Sequence, residues 1–136
     1  MGQFISSVQT DVLTTAQLFT ASWVDVGSEI SVSGVDKLKI YLEIDKSDSS
    51  NFRIKPLALL SKGDSDEYGF SIQSVGASDV KLEDLYYEFN VDADRKNMFE
   101  LELGGGVQYI QFQIQVGTIG TGTAELEHLK VVKIYK

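Results

Sequence analysis

Lys37-Leu38-Lys39-Ile40-Tyr41-Leu42-Glu43-Ile44-Asp45 decides the fold. Leucine or isoleucine stands at every second position, and lysine, tyrosine and acids fill the positions between. Only an extended strand, whose successive side chains point to opposite faces, sorts such a stretch into one apolar and one wet side. The same rhythm returns from Tyr109 to Val116, with Ile110, Phe112, Ile114 and Val116 facing inward and Gln111, Gln113 and Gln115 facing out.

Beyond the first stretch, Ser47-Asp48-Ser49-Ser50-Asn51 is a polar loop whose short side chains bond nearby backbone. Phe52 to Ser61 reads as the next strand. Pro56 has no N–H for a ladder, which places it at a sheet edge or a bulge, and a bulge would reconcile Phe52 and Ile54 with the opposite phase of Leu57 and Leu59. After the turn Gly63-Asp64-Ser65-Asp66, Tyr68, Phe70 and Ile72 alternate again. Leu85, Tyr87, Phe89 and Val91 form another inward row, Asp92 to Asn97 a turn, and Phe99, Leu101 and Leu103 a further row. Gly104-Gly105-Gly106 accepts positive φ and makes a tight link onward. Gly117 to Gly122 reads as a hairpin link to the last strand, Thr123 to Tyr135. There Leu129 and Val131 break the phase of Leu126, Val132 and Ile134, so either a bulge sits near His128 or both faces are covered.

Toward the N-terminus, Val8 to Leu13 reads as one strand, and Trp23, Val24, Val26, Ile30 and Val32 as two short strands around Gly27-Ser28. The expectation is an all-β fold: an antiparallel two-sheet sandwich, jelly-roll-like, of about eight to ten strands. No Pro/Gly/Ser-rich linker divides the chain, so residues 1–136 form a single domain with 1–10 as an extended N-terminal arm.

The 136 residues are 43% apolar, enough for a packed core at this length. With no cysteine, thiol catalysis, thiolate zinc sites and disulfides are excluded. Twenty acids against twelve bases leave a formal charge of −8. That excess repels phosphate polyanions, so neither nucleic acid nor an anionic membrane is an expected partner. No apolar run approaches the ~20 residues that span a bilayer. The opening Met1-Gly2-Gln3-Phe4-Ile5-Ser6 lacks the basic and long apolar regions of a secretory signal. Gly2 and Ser6 fit the myristoylation pattern, a short motif that recurs by chance.

The chemistry-bearing residues assemble no reaction centre. His128 is the single histidine, sits beside Glu127, and has no triad or metal-pair motif around it, which makes it a sheet residue or bulge marker. Glu100/Glu102 and Glu125/Glu127 are spaced as outward strand positions. Gly104–Gly106 lacks the Lys-Ser/Thr of a phosphate loop. Neither catalytic residues, nor a cofactor site, nor a metal site is expected. The oxygen-rich loops Asp45/Asp48/Asn51 and Asp92/Asp94/Asn97 have ligands that suit calcium, the second better than the first, yet both also fit ordinary turn chemistry.

Two features point outward to partners. Trp23, Tyr41, Tyr86 and Tyr109 face away from the apolar rows, where rings can stack on sugars or pack on protein. Gln111, Gln113 and Gln115 put three uncharged amides on one face of a charged chain, and interfaces lose charge at their centres. Trp23 and this glutamine row are therefore the candidate interface, with solvated strand polarity the plain alternative.

Several stretches carry a resemblance. Thr20-Ala21-Ser22-Trp23-Val24-Asp25-Val26-Gly27-Ser28-Glu29-Ile30 is followed by Ser33-Gly34-Val35-Asp36-Lys37-Leu38 leading into a hydrophobic strand. Later come Tyr86-Tyr87-Glu88-Phe89-Asn90-Val91-Asp92-Ala93-Asp94, Val107-Gln108-Tyr109-Ile110-Gln111 and Val116-Gly117-Thr118. Together, as a loose pattern of strands and turns over 20–130, they resemble small β-sandwich virion proteins of tailed phages, of the capsid decoration or head-fibre type. The resemblance implies a non-enzymatic virion component that assembles as a homo-oligomer, a trimer favoured, on the major capsid protein. It transfers no functional residue. The rival expectation is a carbohydrate- or receptor-binding module using the outward aromatic rings.

Overall fold

The computed structural model describes residues 7–13, 15–75, 80–89 and 95–135. Twelve strands follow in order among them: β1 Ser7–Asp11, β2 Gln17–Leu18, β3 Val24–Ser31, β4 Val35–Asp45, β5 Ser50–Leu59, β6 Tyr68–Gly69, β7 Ser71–Val75, β8 Val80–Asp84, β9 Tyr87–Phe89, β10 Arg95–Glu102, β11 Tyr109–Thr118 and β12 Glu125–Tyr135. The count exceeds ten because β2 and β6 are two-residue pairings and β7 and β8 form a small hairpin of their own.

The first sheet has the order β1-β12-β4-β10, with β2 also on β12; the second runs β3-β11-β5-β6, with β9 also on β5. All pairs within these two sheets are antiparallel. Between these two sheets the chain crosses at β2–β3, β3–β4, β4–β5, β9–β10, β10–β11 and β11–β12, which interleaves early and late strands in both layers. That interleaving is the jelly-roll order.

The core lies between the layers. Leu38, Ile40, Leu42 and Ile44 of β4 and Leu126, Leu129 and Val131 of β12 come from the first sheet. Val26 and Ile30 of β3, Phe52 and Ile54 of β5, and Ile110, Phe112, Ile114 and Val116 of β11 come from the second. Phe19 reaches in to meet Phe52 edge-on, with ring centroids 4.8 Å apart. The two stretches with unbroken alternation thus supply the central strand rows, because inward residues at every second position are what two facing sheets need.

Where the sequence pattern faltered, the structure differs in instructive ways. Pro56 makes no bulge, since the β5–β11 register runs unbroken through Phe112↔Pro56, and it stands at a local edge of the sheet. On its other side β9 pairs with Phe52–Ile54 and β6 with Leu57 and Ala58, leaving a gap opposite Pro56 in which no donor is needed. Consequently Leu57 and Leu59 share the outward phase of Gln111 and Tyr109, and are buried on that side. Around Gly27 there is one strand rather than two. β3 is continuous, and its pairing with β11 skips between Ile30↔Ile110 and Val26↔Phe112. Gly27 has φ of 59°, and a Cβ there would run into the Val12 carbonyl, so only glycine fits.

Near His128 the bulge alternative holds: the β12–β4 register shifts between Leu126 and His128, with Glu127 the extra residue. Gly117–Gly122 does not make a hairpin, because β11 and β12 belong to different sheets. Residues 95–97 are strand, not turn, pairing with Ile44, Glu43 and Leu42. Gly104 and Gly105 take φ of 65° and 82°, as their tight link requires. Among the described residues no helix is long and apolar enough to cross a membrane. Residues 1–6 of the expected arm and Asp92 and Asp94 of the second calcium candidate lie outside the described residues.

Candidate functional site

The outer face of the second sheet gathers most of the residues that the sequence singled out. Antiparallel register sets Gln113 between Asp25 of β3 and Lys55 of β5, and Gln115 beside Arg53. Arg53 in turn faces Glu88 of β9. Each of these side chains occupies the phase opposite a core residue, so sheet geometry alone turns them outward.

They are joined into a network. Gln113 Nε2 donates to Asp25 Oδ1 at 2.9 Å. Arg53 Nη1 donates to Gln115 Oε1 at 3.0 Å, and Gln115 Nε2 donates to the Ala21 carbonyl at 2.9 Å. Arg53 Nε lies 3.6 Å from a Glu88 carboxylate oxygen. Trp23, half-buried just before β3, meets exposed Tyr86 edge-on at 5.9 Å between ring centroids. Lys55 Nζ stands 4.4 Å from the Trp23 ring centre, and the Arg53 guanidinium 5.6 Å from that of Tyr86. Two aromatic rings and two cations therefore form one patch. Cation–π contacts of this kind contribute about 0.5–1 kcal/mol at exposed sites. They hold the long cationic chains flat against the rings.

Gln111 behaves differently from its two neighbours. It is 6% exposed, and its Nε2 donates to the carbonyls of Val26 at 3.0 Å, Phe112 at 3.1 Å and Gly27 at 3.3 Å. The register break in β3 leaves these carbonyls short of ladder partners, and the Gln111 amide supplies the missing donor. Nothing in the alternation distinguishes Gln111 from Gln113; only the cross-strand break does.

The other outward aromatics are scattered. Tyr41 is exposed on the outer face of the first sheet, and half-buried Tyr109 lies opposite Leu59, beyond Gln111 from the Trp23 patch. His128 is exposed beside Glu43, with Nε2 3.7 Å from the carboxylate. In the first oxygen-rich loop the three side chains are tied into hydrogen bonds of the surrounding turns. Asp45 Oδ1 accepts the Ser47 N–H, Asn51 Nδ2 donates to Thr118 Oγ1, and Asp48 accepts from Thr121 and Gly122. Among the described residues no group of three or more His, Cys, Asp or Glu side chains could hold a metal ion.

No described protein family matches the sequence, and no curated protein matches it either. Solved structures do share its fold. The SPBc2 prophage-derived protein YomS matches with a TM-score of 0.54 at 15% identity, over 98% of this chain and 97% of its own. The infectious bursal disease virus VP2 subviral particle gives 0.55 at 8% identity, covering 96% of this chain but 33% of the viral one. A structure of the Gx strain of that virus gives 0.54 at 9%, over 98% of this chain and 32% of that one. At such identities the likeness is one of fold: an all-β, two-sheet sandwich found in a prophage protein from end to end and in viral particle proteins as about a third of the chain.

Proposed function

We propose that this chain is a non-enzymatic structural protein of a phage or virus-like particle, a decoration protein that stabilises the capsid by docking on the major capsid protein. The observation that carries this reading is the end-to-end fold match to a prophage-derived protein, 98% of one chain against 97% of the other. The patch of Trp23, Tyr86, Arg53, Lys55, Gln113 and Gln115 supplies a docking surface of suitable character. Its aromatics and arginine are the residue types enriched at protein contacts, and its neutral amides keep the centre free of net charge. Homo-oligomerisation, with a trimer favoured, would repeat that patch around a symmetry axis and multiply a weak contact into a firm one.

Co-sedimentation with shells assembled from the major capsid protein of the proposed particle tests the reading. The full chain should pellet with shells to a saturating ratio, and Trp23→Ala with Lys55→Glu should weaken that binding at least tenfold. A chain that stays in the supernatant at every concentration overturns the proposal.

A second reading, binding of a glycan receptor, draws support from Trp23 and Tyr86 sharing one face with two cations. Against it, Lys55 stands over the Trp23 ring, where a sugar would stack. Selective signals on a glycan array that vanish in Trp23→Ala would favour it over the capsid reading.

A further inference from the structure

The outer face of the first sheet carries a second surface, remote from the Trp23 patch. There β10, β4 and β12 lie side by side, and the register sets Met98 and Lys130 on either side of Tyr41. A groove of about 400 Å³ opens among Tyr41, Met98, Lys96, Lys130, Glu43 and His128. Its floor is apolar, with Tyr41 41% and Met98 50% exposed. Its charges are unevenly spent. Glu43 is turned to His128 and Lys39 to Glu100, each at 3.7 Å, whereas Lys96 and Lys130 have no carboxylate partner among the described residues. On a chain of formal charge −8, two cations with no carboxylate partner among the described residues, set over exposed apolar side chains, call for an acidic, partly apolar occupant.

The chain carries such an element itself. From the end of β5 to the first residue of β6, Leu60 and Tyr68 are 70% and 52% exposed and bracket Asp64, Asp66 and Glu67. The loop is held in shape: the Asp66 N–H donates to Asp64 Oδ1 at 2.9 Å, and the Gly63 N–H to Glu29 Oε1 at 2.8 Å. Two exposed apolar residues flanking carboxylates match, with opposite charge, an apolar floor flanked by ammonium groups. The loop belongs to the second sheet and the groove to the outer face of the first, so their contact needs a second copy.

We propose that the loop spanning Leu60 to Tyr68 of one copy docks into the Tyr41/Met98 groove of the next. Two different patches meet, so the contact is head-to-tail, and it closes into a ring when the rotation per copy divides a full turn. This deepens the reading as an assembling particle protein and rests on it. Net charge repels the copies at long range, while the loop and groove attract within roughly a Debye length, ~8 Å at physiological salt. Salt moves both effects in opposite directions, which makes charge reversal the sharper probe.

Light scattering on the full chain and three variants tests the contact. K96E/K130E should fall to monomer. D66K/E67K should also fall to monomer, although its two acid-to-lysine exchanges bring the formal charge from −8 to −4 and so weaken general repulsion. The chain with all four changes regains the formal charge of −8 and should reassemble to the wild-type mass. Far-UV circular dichroism spectra should coincide across the set, since the four side chains are exposed. An oligomer that survives either reversal, or a fourfold variant that stays monomeric, overturns the docking and leaves shell binding untouched. A wild-type chain that is monomeric throughout also overturns it; only if that chain also fails to pellet with shells does the particle reading fall with it.

Discussion

The carboxylate of Asp48 accepts the backbone N–H and the hydroxyl of Thr121, both at 2.7 Å, and the backbone N–H of Gly122 at 2.8 Å. The turn that carries the chain from β4 to β5 is thereby fastened to the link that returns it from β11 to β12, both at one end of the sandwich. Ser49 Oγ adds to the fastening by accepting the Gly120 N–H at 3.1 Å. A Cβ at Gly120 would collide with the Asp48 carboxyl, so the glycine is what lets the link wrap this closely.

This geometry makes Asp48 an acid-sensitive clamp. The Thr121 hydroxyl first, then the Gly122 and Thr121 N–H groups, hold its pKa well below the ordinary 3.8. A depressed carboxylate pKa contributes stability that is present above the unfolded value and is lost as pH falls through and below it. Asp48→Asn should therefore lower the thermal midpoint by several degrees at pH 7, and the gap should narrow steadily below about pH 4. Melts from pH 7 to pH 2 check this; a gap that is constant with pH would contradict it.

Glu127 behaves in the opposite sense. Desolvation at the bulge, followed by the nearby charges of Glu125, Asp45 and Glu43, raises its pKa above the ordinary 4.5. A raised carboxylate pKa favours the folded state while the proton is on and loses that advantage as pH rises through the folded value. Glu127→Gln should raise the thermal midpoint at pH 7 and leave it unchanged near pH 3. Paired melts at the two pH values suffice.

Replacing Gln111 separates fold from surface. Gln111→Leu removes the donor that the buried Val26 and Phe112 carbonyls use, and leaving buried acceptors unpaired costs about 1–3 kcal/mol. Gln113→Leu, whose amide bonds an exposed Asp25 carboxylate, should cost under about 1 kcal/mol. Urea titrations of the two variants should show the larger loss at Gln111.

Core truncation sets the scale of the whole. Phe52 is fully buried between the sheets and packs edge-on against Phe19. Phe52→Ala should destabilise by about 3–5 kcal/mol, combining lost transfer energy with the cavity left behind. The midpoint of urea unfolding, with its slope unchanged, measures that loss.

Much of the fold was legible in the residues because a strand's two faces leave a two-residue imprint. Leu38 to Ile44 and Ile110 to Val116 became the central rows of the two layers, and the break of phase at His128 became a bulge. That imprint belongs to a single strand and carries nothing about its neighbour. It could not tell that β11 and β12 lie in different sheets, that the missing donor of Pro56 faces a gap between two short strands, or that Leu57 and Leu59 are buried on the outer side.

The candidate site divides along the same line. Alternation determined that Trp23, Gln113, Gln115 and Tyr86 would avoid the core. Only pairing across sequence distance decided that Trp23 meets Tyr86 under Lys55 and Arg53, while Tyr41 lies on the other sheet. Gln111 is the clearest case: by sequence it is one of three equivalent amides, and in the molecule it fills the broken ladder beside Gly27. Side-chain direction is set by the local backbone, whereas hydrogen-bond partners are set by which strands the fold brings together.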